Sequence, residues 1–159
     1  QQMERQRTNH TLSRVYLALT EGHWTDQPRS GLINRPIEKV PDCFNRYQVA
    51  DTGRPSRTEY EVLSEFTYTE TPFSLVRLKL QTGRTHQIRV HMASLSHPLL
   101  GDSIYGHEGF LGFDRAALHS FEITCQLPGH QDLAVFSSEM PEDFQKMIVE
   151  SKKLSSTLI

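Results

Sequence analysis

Cysteine is scarce: the chain has two in 159 residues, Cys43 and Cys125, far apart and without the close Cys/His spacing of a metal site. That sets aside a disulfide scaffold and a zinc module, and suits a reduced, cytosolic setting. No apolar run approaches the roughly 20 residues of a membrane-spanning helix, and no secretory signal pattern is visible. The expected location is therefore the cytoplasm, with no membrane partner. Cationic surplus is lacking too. With 17 Lys and Arg against 19 Asp and Glu, the net charge is −2, which argues against a generally basic nucleic-acid binder and leaves only a local basic patch as such a signal. Internal repeats are missing, as is any linker long enough to divide the chain into separate domains. What is present, 36% hydrophobic and 23% charged residues, suffices for one globular domain with a real core.

The most organised stretch is Leu78–Gly106, LKLQTGRTHQIRVHMASLSHPLLGDSIYG. Val76, Leu78 and Leu80 alternate with Arg77 and Lys79, the period of a half-buried strand. Thr82-Gly83 breaks that period, and Ile88, His91, Met92 and Leu95 then recur on one face of a helix. Arg77, Lys79, Arg84 and Arg89 all come before the next acid, Asp102. A strand, a glycine turn and a basic helix start make a local site for an anion.

The flanking segments read as more sheet. Gln1–Thr11 is polar, with no cap and no initiator methionine, and is expected to be the tail of a helix beginning before residue 1 in a longer chain. In RVYLALTEG, Val15, Leu17 and Leu19 alternate with Tyr16, Ala18 and Thr20, a strand with Tyr16 facing away from the aliphatic row. A turn-rich connection follows from Trp24 to Pro41, with a short pairing at Gly31–Ile37. Strands are predicted at Arg46–Val49, Thr58–Leu63 and Phe73–Leu80, the last after a break at Thr71-Pro72. Leu99–Gly112 reads as a loop, and Phe121, Ile123, Cys125 and Leu127 mark a strand that Pro128-Gly129 ends. Pro141, Glu142 and Asp143 open a last helix with Phe144, Met147 and Ile148 on its apolar face, and Ser155–Ile159 is expected to fray. Many short-linked strands with two helices make an α+β domain on a mostly antiparallel sheet.

GRTHQIRVH followed by HPLLGDSIYG resembles the RluA-type pseudouridine synthases, which isomerise uridine within structured RNA. RVYLALTEG, GLINRPI, SRTEYEVL and RAALHSFEI match further segments of that family in order, and LPGH with MPEDF is similar to its last turn and helix. The resemblance implies the pseudouridine synthase core, a mixed, mostly antiparallel sheet with flanking helices and an RNA cleft. One piece is missing. The family's nucleophilic aspartate lies in an Arg-Leu-Asp-x-x-Thr-Ser-Gly motif ahead of the Tyr-x-Ala strand. Asp26 and Asp51 have neither its flanks nor its position. The aspartate is therefore expected before Gln1, and residues 1–159 are read as a partial catalytic domain, inactive alone.

The reaction implied needs no metal and no organic cofactor. The aspartate attacks the sugar of a flipped uridine, or takes a proton from it; the N1–C1′ bond breaks, and the base turns and rejoins through C5. An arginine should hold the aspartate ionised, and Arg89 is the first choice, with Arg84 second and more suited to a phosphate. Tyr16 resembles the family's base-stacking tyrosine, and Leu118 would be an apolar wall of the pocket. Arg84, His86, Gln87, Arg77 and Lys79 are the expected RNA contacts, and ribosomal or transfer RNA the expected partner of a monomer.

Each assignment has a plainer rival. Arg89 is equally readable as a solvated helix residue, Tyr16 as strand packing and Leu118 as core. His86, His91 and His97 lack the spacing of metal ligands, and Asp102 reads as pinning a turn rather than as a base. Besides the synthase, two classes remain: a non-catalytic RNA-binding module that has lost the nucleophile, and an unrelated hydrolase or metal enzyme, for which no nucleophile–base pair or ligand set is seen.

Overall fold

The computed structural model describes residues 12–157. Eight strands, two α-helices and a single 3-10 turn at Phe110–Gly112 are present among them. The strands are β1 (Ser13–Glu21), β2 (Ser30–Asn34), β3 (Ile37–Lys39), β4 (Tyr47–Val49), β5 (Arg57–Tyr68), β6 (Thr71–Leu80), β7 (Leu118–Gln126) and β8 (Leu133–Ser137). Helix α1 spans Gln87–Ser94 and α2 spans Glu142–Thr157. Six strands form one sheet in the order β2-β5-β6-β1-β7-β8, every neighbour antiparallel, and β3–β4 is a separate hairpin. The α+β class with mostly antiparallel sheet is thus observed. The helix expected at Gln1–Thr11 lies outside the described residues, whereas α2 continues into the predicted frayed tail as far as Thr157.

The period of two along β1 and β6 sorts the core into two layers. On one face Ala18, Val76, Leu78 and Leu80 pack with Ile88 and Met92 of α1, and Tyr16 and Leu118 close over this cluster. On the other, Leu17, Leu19, Phe73 and Leu75 pack with Phe144 and Met147 of α2. Burying each of the larger side chains stabilises the fold by about 1.5–3 kcal/mol, and each face of the sheet is covered by one helix.

Three sequence expectations shift. The β5–β6 turn falls at Thr69–Glu70, both at positive φ (47° and 65°), as a two-residue hairpin turn of the strand-matching hand requires. Thr71 and Pro72, expected to break the strand, pair with Tyr68 and Thr67 inside the ladder. Strand β8 has no counterpart among the sequence expectations: Leu133, Val135 and Phe136 are exposed, so the run has no one-sided apolar signature, and its pairing with β7 defines it.

Candidate active site

Helix α1 is set by its first side chain. Gln87 is buried, and its Oε1 accepts from the Thr82 hydroxyl at 2.8 Å and the Arg84 N–H at 3.0 Å. Its Nε2 donates to the Arg57 carbonyl at 2.9 Å and Thr58 Oγ1 at 3.0 Å. The helix start is thereby tied to the ends of β5 and β6. Thr58 then directs its own proton to His91 Nδ1 at 2.8 Å, and His91 Nε2–H donates to the Arg35 carbonyl at 2.9 Å. His91 is thus a neutral, enclosed ring, and burial pushes its pKa down. At the far end Ser96, at φ 65°, closes the helix, with His97 N–H donating to the Met92 carbonyl and Ser96 N–H to that of Ala93.

Arg89 leaves the outer side of this helix. Its Nε donates to Asp102 Oδ2 at 2.7 Å and its Nη2 to Asp102 Oδ1 at 2.6 Å, a two-pronged pair. Asp102 is fully enclosed, while 18% of the Arg89 side chain is exposed. Burial alone would raise the Asp102 carboxyl; the Arg89 bonds, with the N–H groups of Tyr105 and Ile104 on Oδ1, outweigh it and hold the carboxyl below its usual range. Asp102 therefore pins a turn, as its sequence context implied, and also fixes a guanidinium, which sequence reasoning missed. Gly101 precedes it at φ 68°, with the Phe113 and Arg115 carbonyls filling the space a side chain would need.

Tyr105 completes the clamp. Its ring lies under the Arg89 guanidinium, 5.1 Å from Cζ to centroid. Its hydroxyl accepts from Tyr47 N–H at 2.9 Å, which leaves the hydroxyl proton for His86 Nδ1, also at 2.9 Å. His86 is then neutral with its proton on Nε2, and burial followed by the Arg89 charge pushes its pKa down. Burial raises the Tyr105 pKa. Through Tyr47 the β3–β4 hairpin is tied to the same cluster. Arg89 Nη1 carries no hydrogen bond among the described residues, so the guanidinium is held on one edge and uncommitted on the other.

The other expected residues divide. Tyr16 and Leu118 share the α1 face, half-buried against the cluster that holds Ile88. Arg84 lines an open groove of about 450 Å³ with Lys39, Arg54 and Tyr47. Arg77 and Lys79, expected as RNA contacts, point to the opposite face, since Val76, Leu78 and Leu80 take the α1 side. There they stand across from Glu61 and Glu59, with Arg77 4.0 Å from the Glu61 carboxylate. Gln87, likewise expected at the RNA, has all its polar capacity engaged within the protein and serves to position α1. His97 is stacked on Trp24 at 4.1 Å and bonded to the Glu21 carbonyl. Among the described residues no group of three or more His, Cys, Asp or Glu side chains is placed to hold a metal, and no helix is long and apolar enough to cross a membrane.

A six-stranded antiparallel sheet with one helix on each face, an arginine clamped by a carboxylate and a tyrosine ring, and an open groove lined by Arg84, Lys39 and Arg54 defines the class as an α+β protein. The comparisons narrow it. Residues 1–94 match the family described as RNA pseudouridylate synthase. The chain is 33% identical over 160 residues to ribosomal large subunit pseudouridine synthase D of Nitrosomonas europaea, covering 96% of the chain and 44% of that protein. It is 37% identical over 145 residues to the uncharacterized RNA pseudouridine synthase YhcT of Bacillus subtilis, covering 91% and 46%. Human RNA pseudouridylate synthase domain containing 1 superposes with a TM-score of 0.71 at 29% identity, over 87% of this chain and 58% of that one. The chain belongs to the RNA pseudouridylate synthase family, and spans about half the length of the curated relatives it matches.

Proposed function

We propose that residues 1–159 form a segment of the catalytic domain of an RNA pseudouridine synthase that converts uridine to pseudouridine in ribosomal RNA. The observation that carries this is the Arg89 guanidinium, fixed by Asp102 and Tyr105 with Nη1 uncommitted. A second carboxylate, the nucleophilic aspartate of a segment ahead of Gln1, would complete its pairing there. Arg89 holds that aspartate ionised, Tyr16 stacks on the flipped uracil, and Leu118 walls the pocket. His86 Nε2–H and Arg84 face the RNA at the mouth. Ribosomal RNA is preferred to transfer RNA because relatives sharing about a third of the sequence are named for the large ribosomal subunit. The working unit is read as a cytoplasmic monomer, without metal or organic cofactor, as the resemblance implies.

The test is Arg89→Lys in the full-length protein, with pseudouridine read on an unmodified large-subunit RNA transcript. Lys keeps the charge opposite Asp102 but loses the fork, and turnover should fall about 10²–10³-fold with RNA binding within about threefold. Equal loss of binding and turnover would make Arg89 an RNA anchor, and favour the non-catalytic binding module.

A further inference from the structure

Among the described residues Arg14 is a cation without a counter-ion. It stands two residues ahead of Tyr16 in β1, on the same face of the sheet and about 7 Å along the strand. Its side chain crosses the end of β6 to the Thr82-Gly83 turn. There Nη2 donates to the Thr82 carbonyl at 3.2 Å, and a methyl group on Gly83 would fall 2.6 Å from Nη1. A side chain at Gly83 would displace the guanidinium from this position. Nε is enclosed and has no hydrogen-bond partner among the described residues. Among the described residues no carboxylate pairs with Arg14.

Two more guanidinium groups flank this turn. Arg84 follows Gly83, its Nε on the Pro55 carbonyl at 3.4 Å. Arg57 gives its backbone N–H to Thr82 Oγ1 at 2.9 Å and turns its side chain to Asn34. Both meet neutral acceptors. Glu59, the acid at this end of β5, is taken up by Gln81 Nε2 at 2.6 Å. A half-buried guanidinium with one of its five donors bound is poorly solvated, and an anion would offset that cost. Three cations around one turn exceed what a single carboxylate balances and suit a strand of phosphates.

We infer that Arg14 is the receptor for an RNA backbone phosphate, placed so that the neighbouring base lies over Tyr16; this rests on the RNA reading above. It fixes the register of the strand entering the pocket and reads no base.

The test is the salt dependence of RNA binding by the full-length protein, with Arg14→Gln and Arg14→Lys. The probes are unmodified transcripts of large-subunit ribosomal RNA and of a transfer RNA. For Arg14→Gln the slope of log affinity against log salt should shrink by about 0.7–0.9, one phosphate's worth, on both transcripts. Affinity should fall about tenfold. Arg14→Lys should restore the slope. A wild-type slope in Arg14→Gln overturns the inference; if it comes with a lowered Tm, Arg14 is a brace for the turn or a partner for a protein carboxylate. If the wild-type protein forms no pseudouridine while Arg14→Gln still shows the slope change, Arg14 stands and the synthase reading sinks. Wild-type protein that binds neither transcript overturns both.

Discussion

The two faces of one sheet carry similar charges to different ends. On the α2 face Arg77 and Lys79 stand opposite Glu61 and Glu59; the closest approach of Arg77 to Glu61 is 4.0 Å, and both side chains are about half exposed. On the α1 face Arg89 meets an enclosed carboxylate at 2.6 Å and lies over an aromatic ring, while Arg14 meets no carboxylate among the described residues. The first arrangement is a solvated ladder in which each cation has a nearby anion and water does most of the screening. The second uses burial and geometry to fix orientation. Proximity in sequence does not decide which cation belongs to which: Arg77 and Arg84 are seven positions apart yet the β6 pleat sends Arg77 to the far side.

The contrast breaks most sharply at Asp102. Asp102→Asn keeps the size but leaves the Arg89 charge with a neutral, enclosed partner. Unfolding free energy should fall by about 3 kcal/mol, as for buried pairs that lose one member, and a denaturant melt measures it. Turnover by the full-length protein should fall about 100-fold, because the guanidinium is no longer aimed. A lower melt with unchanged turnover would reduce the pair to scaffolding and remove the distinction between the faces.

How much of this was written in the chain depends on whether the signal is local. The period of two placed β1 and β6 and set Tyr16 apart from Leu17 and Leu19, because that alternation is a property of the backbone. The helix at Gln87 followed from Ile88, His91 and Met92. The motifs singled out Arg89 and Asp102, and Tyr105 stood unremarked inside HPLLGDSIYG. That Asp102 folds back onto Arg89, 13 residues away, depends on the loop between them and has no period to announce it. Arg77 and Lys79, expected beside Arg84 and Arg89, fall on the face opposite α1 for a related reason: alternation says which residues share a face, not which face a helix covers. The role of Arg14 depended on a contact with Gly83 across two strands, which no spacing encodes.

A middle-sized effect lies beneath the α1 face. The chain from Gln87 through Thr58 to His91 requires a neutral imidazole, since Nδ1 accepts and Nε2–H donates to a carbonyl. Burial lowers the His91 pKa, and burial with Arg89 lowers that of His86. The folded state therefore binds fewer protons than the unfolded one, whose histidines titrate near 6.5. Stability should be full above about pH 6.5 and decline as pH falls below it, by at most about 1.4 kcal/mol per pH unit for each histidine. Melts from pH 8 to pH 5 measure the slope, and His91→Gln should remove a good share of it. A flat profile would mean that the enclosed ring accepts a proton, against the bonding of Thr58 and Arg35.

The smallest effect is expected on the α2 face, and its smallness is the point. Arg77 and Glu61 are both exposed, so their pairing should contribute under about 0.5 kcal/mol. A double-mutant cycle of Arg77→Ala and Glu61→Ala reads that coupling directly, and 0.5 M salt should erase what there is. Because Arg77 faces away from Tyr16 and α1, Arg77→Ala should also leave the salt slope of RNA binding and the turnover of the full-length protein as they are. This is the control that the Arg14 experiment needs: the same residue type, on a neighbouring strand, losing the same charge. If Arg77→Ala flattened the slope as Arg14→Gln is expected to, the RNA would be wrapping both faces. The charge on the sheet would then act as a diffuse field, and the placement of Arg14 beside Tyr16 would lose its meaning.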